Sequence, residues 1–369
     1  MAVPTPDPFQ LSCPVPLDVH TTVQMAHGGG GRVMRGLIER MLLPAFAAGG
    51  GEAAGAGTAG HAAAAREPPH DSAVLDAEGV RLAFTTDSFV VSPLFFPGGD
   101  IGKLAVCGTV NDLAMAGAKP AWLSCALILE EGLPLETLGR IVASMRRAAE
   151  QAGVRIVTGD TKVVDRGKGD GVFINTAGIG LVPAGVDVSP RRVAPGDAVL
   201  VSGDLGRHGI AILSVREGLH FEGALESDCA PLAGLVETLC ARLGPEVHCL
   251  RDLTRGGLAA ALNEIALDAQ VGIRLEEEAI PISERVAGAC ELLGLDPLYV
   301  ANEGRMVAIV PAAVAREALA VLRAHPLAAE AAVVGEVTAA HPGTVELRGR
   351  LGGGRIVDLL SGEQMPRIC

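Results

Sequence analysis

Residues 80–118, VRLAFTTDSFVVSPLFFPGGDIGKLAVCGTVNDLAMAGA, decide the architecture. The first twelve, VRLAFTTDSFVV, read as a strand that ends in a polar turn. Apolar residues in GKLAVCGTVNDLAMAGA (102–118) return at helical spacing. AWLSCALIL (121–129) is a short apolar run of strand length. PLETLGRIVASMRRAAEQAG (134–153) is amphipathic and stops at Gly153, a suitable helix C-cap. VRIVTGDTKVV (154–164) and GVFINTAGIGLV (171–182) return to strand character. Strands alternating with helices make an α/β unit, and the Pro/Gly-marked turn at 183–197 is its expected boundary.

Outward from that unit, the second half repeats the style without repeating the sequence. DAVLVSG (197–203), VHCLRDL (247–253), GIRLEEE (272–278), MVAIV (306–310) and AAVVGEV (331–337) read as strands. Helices are expected over 209–218, 230–244, 255–269 and 311–325. On the N-terminal side, residues 1–18 are proline-rich and read as an extended leader. VHTTVQM (19–25) reads as a short strand and VMRGLIERML (33–42) as a helix. Residues 44–71 are low in complexity and read as a flexible surface insertion. A tail from Gly352 to Cys369 closes the chain.

Composition narrows the function. The chain has 369 residues, with 30 Lys+Arg against 43 Asp+Glu and a net charge of −13. That balance disfavours a nucleic-acid backbone or an anionic membrane surface as partner. Hydrophobic residues at 49% supply a core, and aromatics at 3% are too few for a base-stacking platform. AWLSCALIL is too short to span a bilayer, and MAVPTPDPFQLSCPVP lacks the pattern of a secretory signal. The eight cysteines form no CxxC pair. They read as free thiols in a reducing cytoplasm.

Four constellations could carry chemistry. The run Gly28, Gly29, Gly30 and Gly31 precedes a helix, so its amides could receive a phosphate; it reads equally as a flexible turn. Aspartates stand on strand ends and loops: Asp87 after LAFTT, Asp112 beside Asn111 in the helix-like stretch, and Asp160 before Lys162. Each alone reads as a cap or turn residue. As a set they need a hard cation, and Mg²⁺ carrying a nucleotide's phosphates fits. RDLTRGGL (251–258) brings Asp252 to a strand end before another helix start, where it reads as either a cap or a ligand site. In SGDLGRHGIA (202–211), His208 reads as a structural or capping residue, since no second His stands at ligand spacing. The fourth is the terminal thiol, Cys369, on a tether with three glycines at 352–354; by position alone it reads as an incidental residue of a frayed tail.

TTDSFVV, GGDIGKLAV, GTVNDLAM, GDTKVV, FINTAGIG, RDLTRGGLAAALNEIA, ANEG and the terminal PRIC together resemble the HypE family of hydrogenase maturation factors. That family belongs to the superfamily of AIR synthetase, thiamine-monophosphate kinase and selenophosphate synthetase. The resemblance runs from about Val19 to Cys369, interrupted at 44–71. It reverses the reading of Cys369.

The resemblance implies an α/β (α+β), PurM-like two-domain fold: an N-terminal AIR synthetase-like ATP-binding domain (19–183), a C-terminal one (184–351), and a mobile tail (352–369). It implies a homodimer whose N-terminal strands share a barrel, with ATP in a cleft near the dimer interface. The implied activity is ATP-dependent dehydration of an S-carboxamide on Cys369 to a thiocyanate. The carbamoyl group would come from the carbamoyltransferase HypF, and the cyano group would pass to iron on HypC–HypD. By motif, Asp87, Asp112 and Asp160 are expected at the metal, with Asp252 a weaker candidate. Lys103, Asn111 and the Gly28–Gly31 loop are expected at the nucleotide. Glu303 is the expected base for the carboxamide nitrogen, and Lys162 the expected partner for developing charge. Arg207 stands where the family commonly has Asp in a GDHG-type turn. The competing readings are a superfamily kinase or ligase acting on a free metabolite, which has no use for PRIC, and a non-catalytic carrier, which has no use for the aspartates.

Overall fold

A computed structural model describes residues 22–47, 70–219, 225–362, 365 and 367–369. The leader, most of the insertion and the first residues of the expected strand at 19–25 lie outside the described residues. The chain separates into two compact units. The smaller comprises residues 1–66 and 359–366. In it, Met25–Gly28 forms a 3-10 turn where the end of a strand was expected. Helix α1 (Arg32–Leu37) continues through a π-helical turn, Ile38–Leu42, into α2 (Leu43–Ala47). Gly31 caps α1 and lies against residue 360; a Cβ on Gly31 would sit 2.2 Å from the Leu360 carbonyl oxygen.

The larger unit, residues 67–358 with 367–369, holds two sheets. The first is built from β1 (Ala73–Ala77), β2 (Val80–Phe89), β5 (Lys119–Glu130), β6 (Arg155–Val164) and β7 (Val172–Leu181), in the order β1-β2-β7-β5-β6. The short pair β3 (Phe95–Phe96) and β4 (Gly99–Asp100) leads into α3 (Ile101–Met115). Only β5 and β6 run parallel, as their crossover through α4 (Leu135–Ala152) requires. Gly153 ends α4 in the left-handed conformation, φ 71°, as its position in the sequence anticipates.

Helix α3 is apolar on nearly every side and is buried almost throughout. It packs on β2 and β7 and also touches α4, α6 (Ala233–Leu243) and β9 (Cys249–Asp252). Gly178 on β7 permits the close approach: a Cβ there would lie 2.8 Å from Thr109 and Leu113 on α3. Asp100 caps α3, accepting from Gly102 N at 2.8 Å and Lys103 N at 3.2 Å.

The second sheet runs β14-β13-β10-β12-β8-β11-β9. Its strands are β8 (Asp197–Val201), β9 (Cys249–Asp252), β10 (Gly272–Glu276), β11 (Met306–Pro311), β12 (Ala332–Thr338), β13 (Val345–Arg348) and β14 (Gly354–Val357). Around it stand α5 (Arg207–Arg216), α6 (Ala233–Leu243), α7 (Gly257–Ala269), α8 (Glu284–Leu293) and α9 (Ala315–Arg323). Val199, Val201, Leu262, Ile265, Ile273 and Ile309 anchor a continuous core between sheet and helix. The tail expected from Gly352 is corrected here. Gly354–Val357 pairs antiparallel with β13, so ordered sheet extends to Val357.

Candidate active site

The alternation of side chains along β2 and β7 determines which aspartates meet. Asp87 pairs with Thr176 in the ladder, and Thr176 faces α3, where its hydroxyl lies 2.5 Å from that of Thr109. Paired residues share a face, so Asp87 stands on the helix side. Thr85, two residues earlier, shares that face; its Oγ1 lies 2.9 Å from Asp112 Oδ2 and 2.9 Å from the Asp71 carbonyl. Asp112 is carried by α3. Asp252 arrives at the end of β9, with Thr254 Oγ1 donating to its Oδ1 at 3.2 Å. Asp71 completes the group. Its Oδ2 accepts from Asp252 N at 3.4 Å, and its Oδ1 is 2.7 Å from Arg251 Nε. One oxygen each from Asp71, Asp112 and Asp252 lies within 4.8 Å of the others.

This concentration of carboxylates strains their ionisation. Burial raises the pKa of Asp112 well above the carboxylate range, and Asp252, Asp71 and Asp87 push it further. Asp252 is pushed up to about 8 by burial, then by Asp71. Asp87 is raised by burial, with Arg255 pulling it down. The buried Oδ2 of Asp252 has no hydrogen-bond partner among the described residues. An all-oxygen donor set with an unpaired, buried carboxylate oxygen fits a hard divalent cation such as Mg²⁺.

Beside the carboxylates lies a second group. The chain terminus enters next to β2: Val90 N donates to the Cys369 carbonyl at 3.1 Å, and Ser92 N to the Arg367 carbonyl at 3.2 Å. Burial pushes the Cys369 thiol up, the charge of Arg255 opposes this, and Glu303, Asp87 and Asp252 add to it. The Arg255 guanidinium is correspondingly held in its charged form, chiefly by Cys369. Glu303 is 2% exposed, its Oε1 has no hydrogen-bond partner among the described residues, and burial, then Asp252, Asp87 and Asp228, raise its pKa well above the usual value. Its backbone is fixed firmly. Asp228 Oδ2 accepts from Glu303 N at 3.3 Å and Gly304 N at 3.1 Å. A Cβ on Gly304 would sit 2.0 Å from the Asp228 carbonyl, so this turn requires glycine.

Asp87, Asp112, Asp252, Glu303 and Cys369 are thus brought together within one chain, and Asp160 and Lys162 are not. Asp160 pairs with Ala126, which pairs with Asn175, which pairs with Ser88. That row lies on the opposite face of the sheet from Asp87, one residue out of phase. Asp160 and Lys162 instead pair with each other, exposed, at 3.0 Å. The hydrogen bond from Lys162 holds the Asp160 carboxyl below its usual range.

Asn111 is spent on structure. Its Nδ2 donates to the carbonyls of Ala230 (3.1 Å) and Glu303 (3.3 Å), and its Oδ1 accepts from Leu232 N at 2.7 Å. Lys103 Nζ donates to the Gly98 carbonyl at 2.8 Å. Gly28 and Gly29 lie in and just after the 3-10 turn of the smaller unit, Gly30 has φ 74°, and Arg32 N, at the start of α1, donates to the Leu360 carbonyl at 2.9 Å.

Asp71, Arg251, Arg255 and Asp228 escaped the sequence reading. Asp71 was assigned to the insertion, which is corrected: it is an anchored residue just before β1. The only signal was the end of the alanine/glycine composition at Arg66. Arg255 lies inside the quoted RDLTRGGL, whose aspartate alone drew attention.

Comparison with known proteins brings these pieces together. Residues 69–182 match the N-terminal domain of AIR synthase related proteins, and residues 194–348 match the C-terminal domain. The carbamoyl dehydratase HypE of Rhodobacter capsulatus is 55% identical over 347 residues, 94% of this chain and 98% of that protein. A crystal structure of the hydrogenase maturation protein HypE in complex with ATP superposes with a TM-score of 0.76 at 48% identity, covering 94% of this chain and 100% of that one. A HypE–HypF complex matches with a TM-score of 0.76 at 50% identity, covering 79% of this chain and 93% of that one.

Proposed function

Given that this chain belongs to the HypE family of hydrogenase-maturation carbamoyl dehydratases and is an ATP-dependent enzyme, we propose that its substrate is its own terminus: an S-carboxamide on Cys369, dehydrated to a thiocyanate. The observation that supports this most directly is the position of Cys369, buried, with its carbonyl held by Val90 N and its thiol within electrostatic reach of Arg255, Glu303 and the aspartates.

The chemistry follows from the groups present. An amide oxygen is a poor leaving group. Transfer of the γ-phosphoryl group of ATP to the carboxamide oxygen, with loss of one N–H proton, gives an imidate phosphate and ADP. Loss of the second N–H proton then drives C–O cleavage, expels phosphate and leaves S–C≡N. Glu303 accepts the first of these protons, and the second leaves with the expelled phosphate as hydrogen phosphate. The raised pKa of Glu303 makes it a stronger base, and its Oε1 is the acceptor atom. Arg255 steadies negative charge as it develops beside the sulfur. Asp71, Asp112 and Asp252, with Asp87 adjacent, would hold Mg²⁺. When bound, the ion would neutralise phosphate charge during transfer.

The remaining expectations fit a second copy of the chain. Phe84, Trp122, Ile128, Val157, Val163 and Ile179 are exposed apolar side chains of the first sheet, and β6 is an open edge strand. A homodimer joined through this sheet would cover them and let the Asp160–Lys162 pair serve a neighbouring site. Lys103 and the Gly28–Gly31 loop remain the proposed nucleotide contacts. HypF as carbamoyl donor and HypC–HypD as cyano acceptor complete the proposal. Among the described residues no helix is long and apolar enough to cross a membrane, which is compatible with action in the cytoplasm.

Intact mass tests the reaction. After incubation with a carbamoylating partner and ATP, Cys369 should gain a carbamoyl group and then lose one water. A carbamoyl adduct that persists with ATP and Mg²⁺ present, or a Cys369→Ala chain that still turns over, overturns the proposal.

A further inference from the structure

The last three residues are gripped through their backbone. The bonds from Val90 and Ser92 to the carbonyls of Cys369 and Arg367 step by two residues on each side, in opposite directions, like rungs of an antiparallel ladder. Arg216 Nη2 adds bonds of 2.8 Å to the Arg367 and Ser92 carbonyls. The Ile368 carbonyl, between them, is taken by another element: His208 Nε2 lies 2.8 Å from it.

A carbonyl only accepts, so Nε2 carries the ring proton. His208 Nδ1, 2.8 Å from Ser227 Oγ, then accepts from that hydroxyl, and the hydroxyl in turn accepts from Cys229 N at 3.0 Å. The donors run in one direction from Cys229 to Ile368. The ring is fully buried and edge-on to Phe96, with centroids 5.5 Å apart. Burial favours the neutral form, against the pull of Asp228. The neighbour of Ser227 is Asp228, which holds the backbone of Glu303. One short segment therefore holds both the residue that receives the chain end and the loop that carries the base.

We propose that His208 is a latch for the C-terminal tail: a positioning residue that, oriented by Ser227, seats Cys369 against Glu303 and Arg255 by holding the Ile368 carbonyl. This rests on the reading of Cys369 as the acceptor. His208 touches no reacting atom and acts through the tail.

Full-length His208→Phe, His208→Gln and Ser227→Ala chains test the latch. The first readout needs no turnover: the rate at which iodoacetamide labels Cys369, followed by peptide mass. Losing one buried hydrogen bond should speed labelling about tenfold in His208→Phe. His208→Gln, whose amide reaches the same place, should return most of the protection. Ser227→Ala, which frees the ring to turn, should give a smaller increase of about threefold. In single turnover of carbamoylated protein, His208→Phe should lower the rate of water loss without changing the KM for ATP, and His208→Gln should restore it. Labelling of His208→Phe at the wild-type rate, or no recovery in His208→Gln, overturns the latch. If His208→Phe does not fold, wild-type labelling of Ser227→Ala overturns it. Labelling that behaves as expected in a protein whose carbamoyl adduct never loses water supports the latch and refutes the dehydration.

Discussion

The two sheets of the larger unit are finished to different degrees. In the second, β8 is buried at every position and β11 at all but its last. In the first, β6 is exposed at nine of its ten residues, and the face away from α3 carries Phe84, Trp122 and Ile179 in register across three strands. One sheet is covered by its own chain. Among the described residues of the larger unit, the other is covered on its α3 side while its other face stays exposed. An apolar sheet face with an open edge is a surface that natural proteins cover. The difference suggests a division of labour, with the second sheet anchoring the fold and the first available for assembly. The site draws on both, through α3.

Substitution in the two sheets should separate these roles. Val199→Asp buries a charge in the core of the second sheet; its cost of about 4 kcal/mol or more should leave no soluble folded protein, read by circular dichroism of the expressed chain. Ile128→Glu on the open face should fold normally, yet shift light scattering from dimer to monomer and abolish turnover. A folded, dimeric Ile128→Glu chain would break the comparison. Glu303→Gln should keep its shape while losing about 10²–10⁴-fold in the rate of water loss, with ATP binding by calorimetry unchanged.

The smallest effect concerns pH. Asp252 has a folded-state pKa near 8 against 3.8 when free, so the folded protein holds a proton that the unfolded chain releases. Stability of the metal-free protein should therefore fall as pH rises from about 4 through about 8. Mg²⁺ should restore it, more at pH 8.5 than at pH 5.5, by roughly 2–4 °C in melting midpoint. Asp252→Asn should weaken both responses, with Asp112 and Glu303, whose carboxyls are also raised, carrying what remains.

Much of this was legible in the sequence, for a physical reason. Strand and helix periods survive in β2, α3, α4 and β5 because each buries one defined face, or is buried whole. Strands β13 and β14 were missed because four-residue strands carry too few alternations to be read. The site divided along the same line. Motifs named Asp87, Asp112, Asp252, Glu303 and Cys369, which the fold brings near one another. They did not show that Asp160 falls one residue out of phase, since phase is set by ladder pairing and bulges such as that at Leu123/Ser124. Asp71 and Arg255 are near in space to residues that are far in sequence, and no local pattern encodes that.

The pairing of the chain end beside Val90 and Ser92 turns length into a specification. On the proposed reading of Cys369 as acceptor, an amino acid appended after it would have to be accommodated beside Val90, and the sulfur would be displaced from its seat. Such a protein should fold by circular dichroism, yet show no loss of water from its carbamoyl adduct by intact mass.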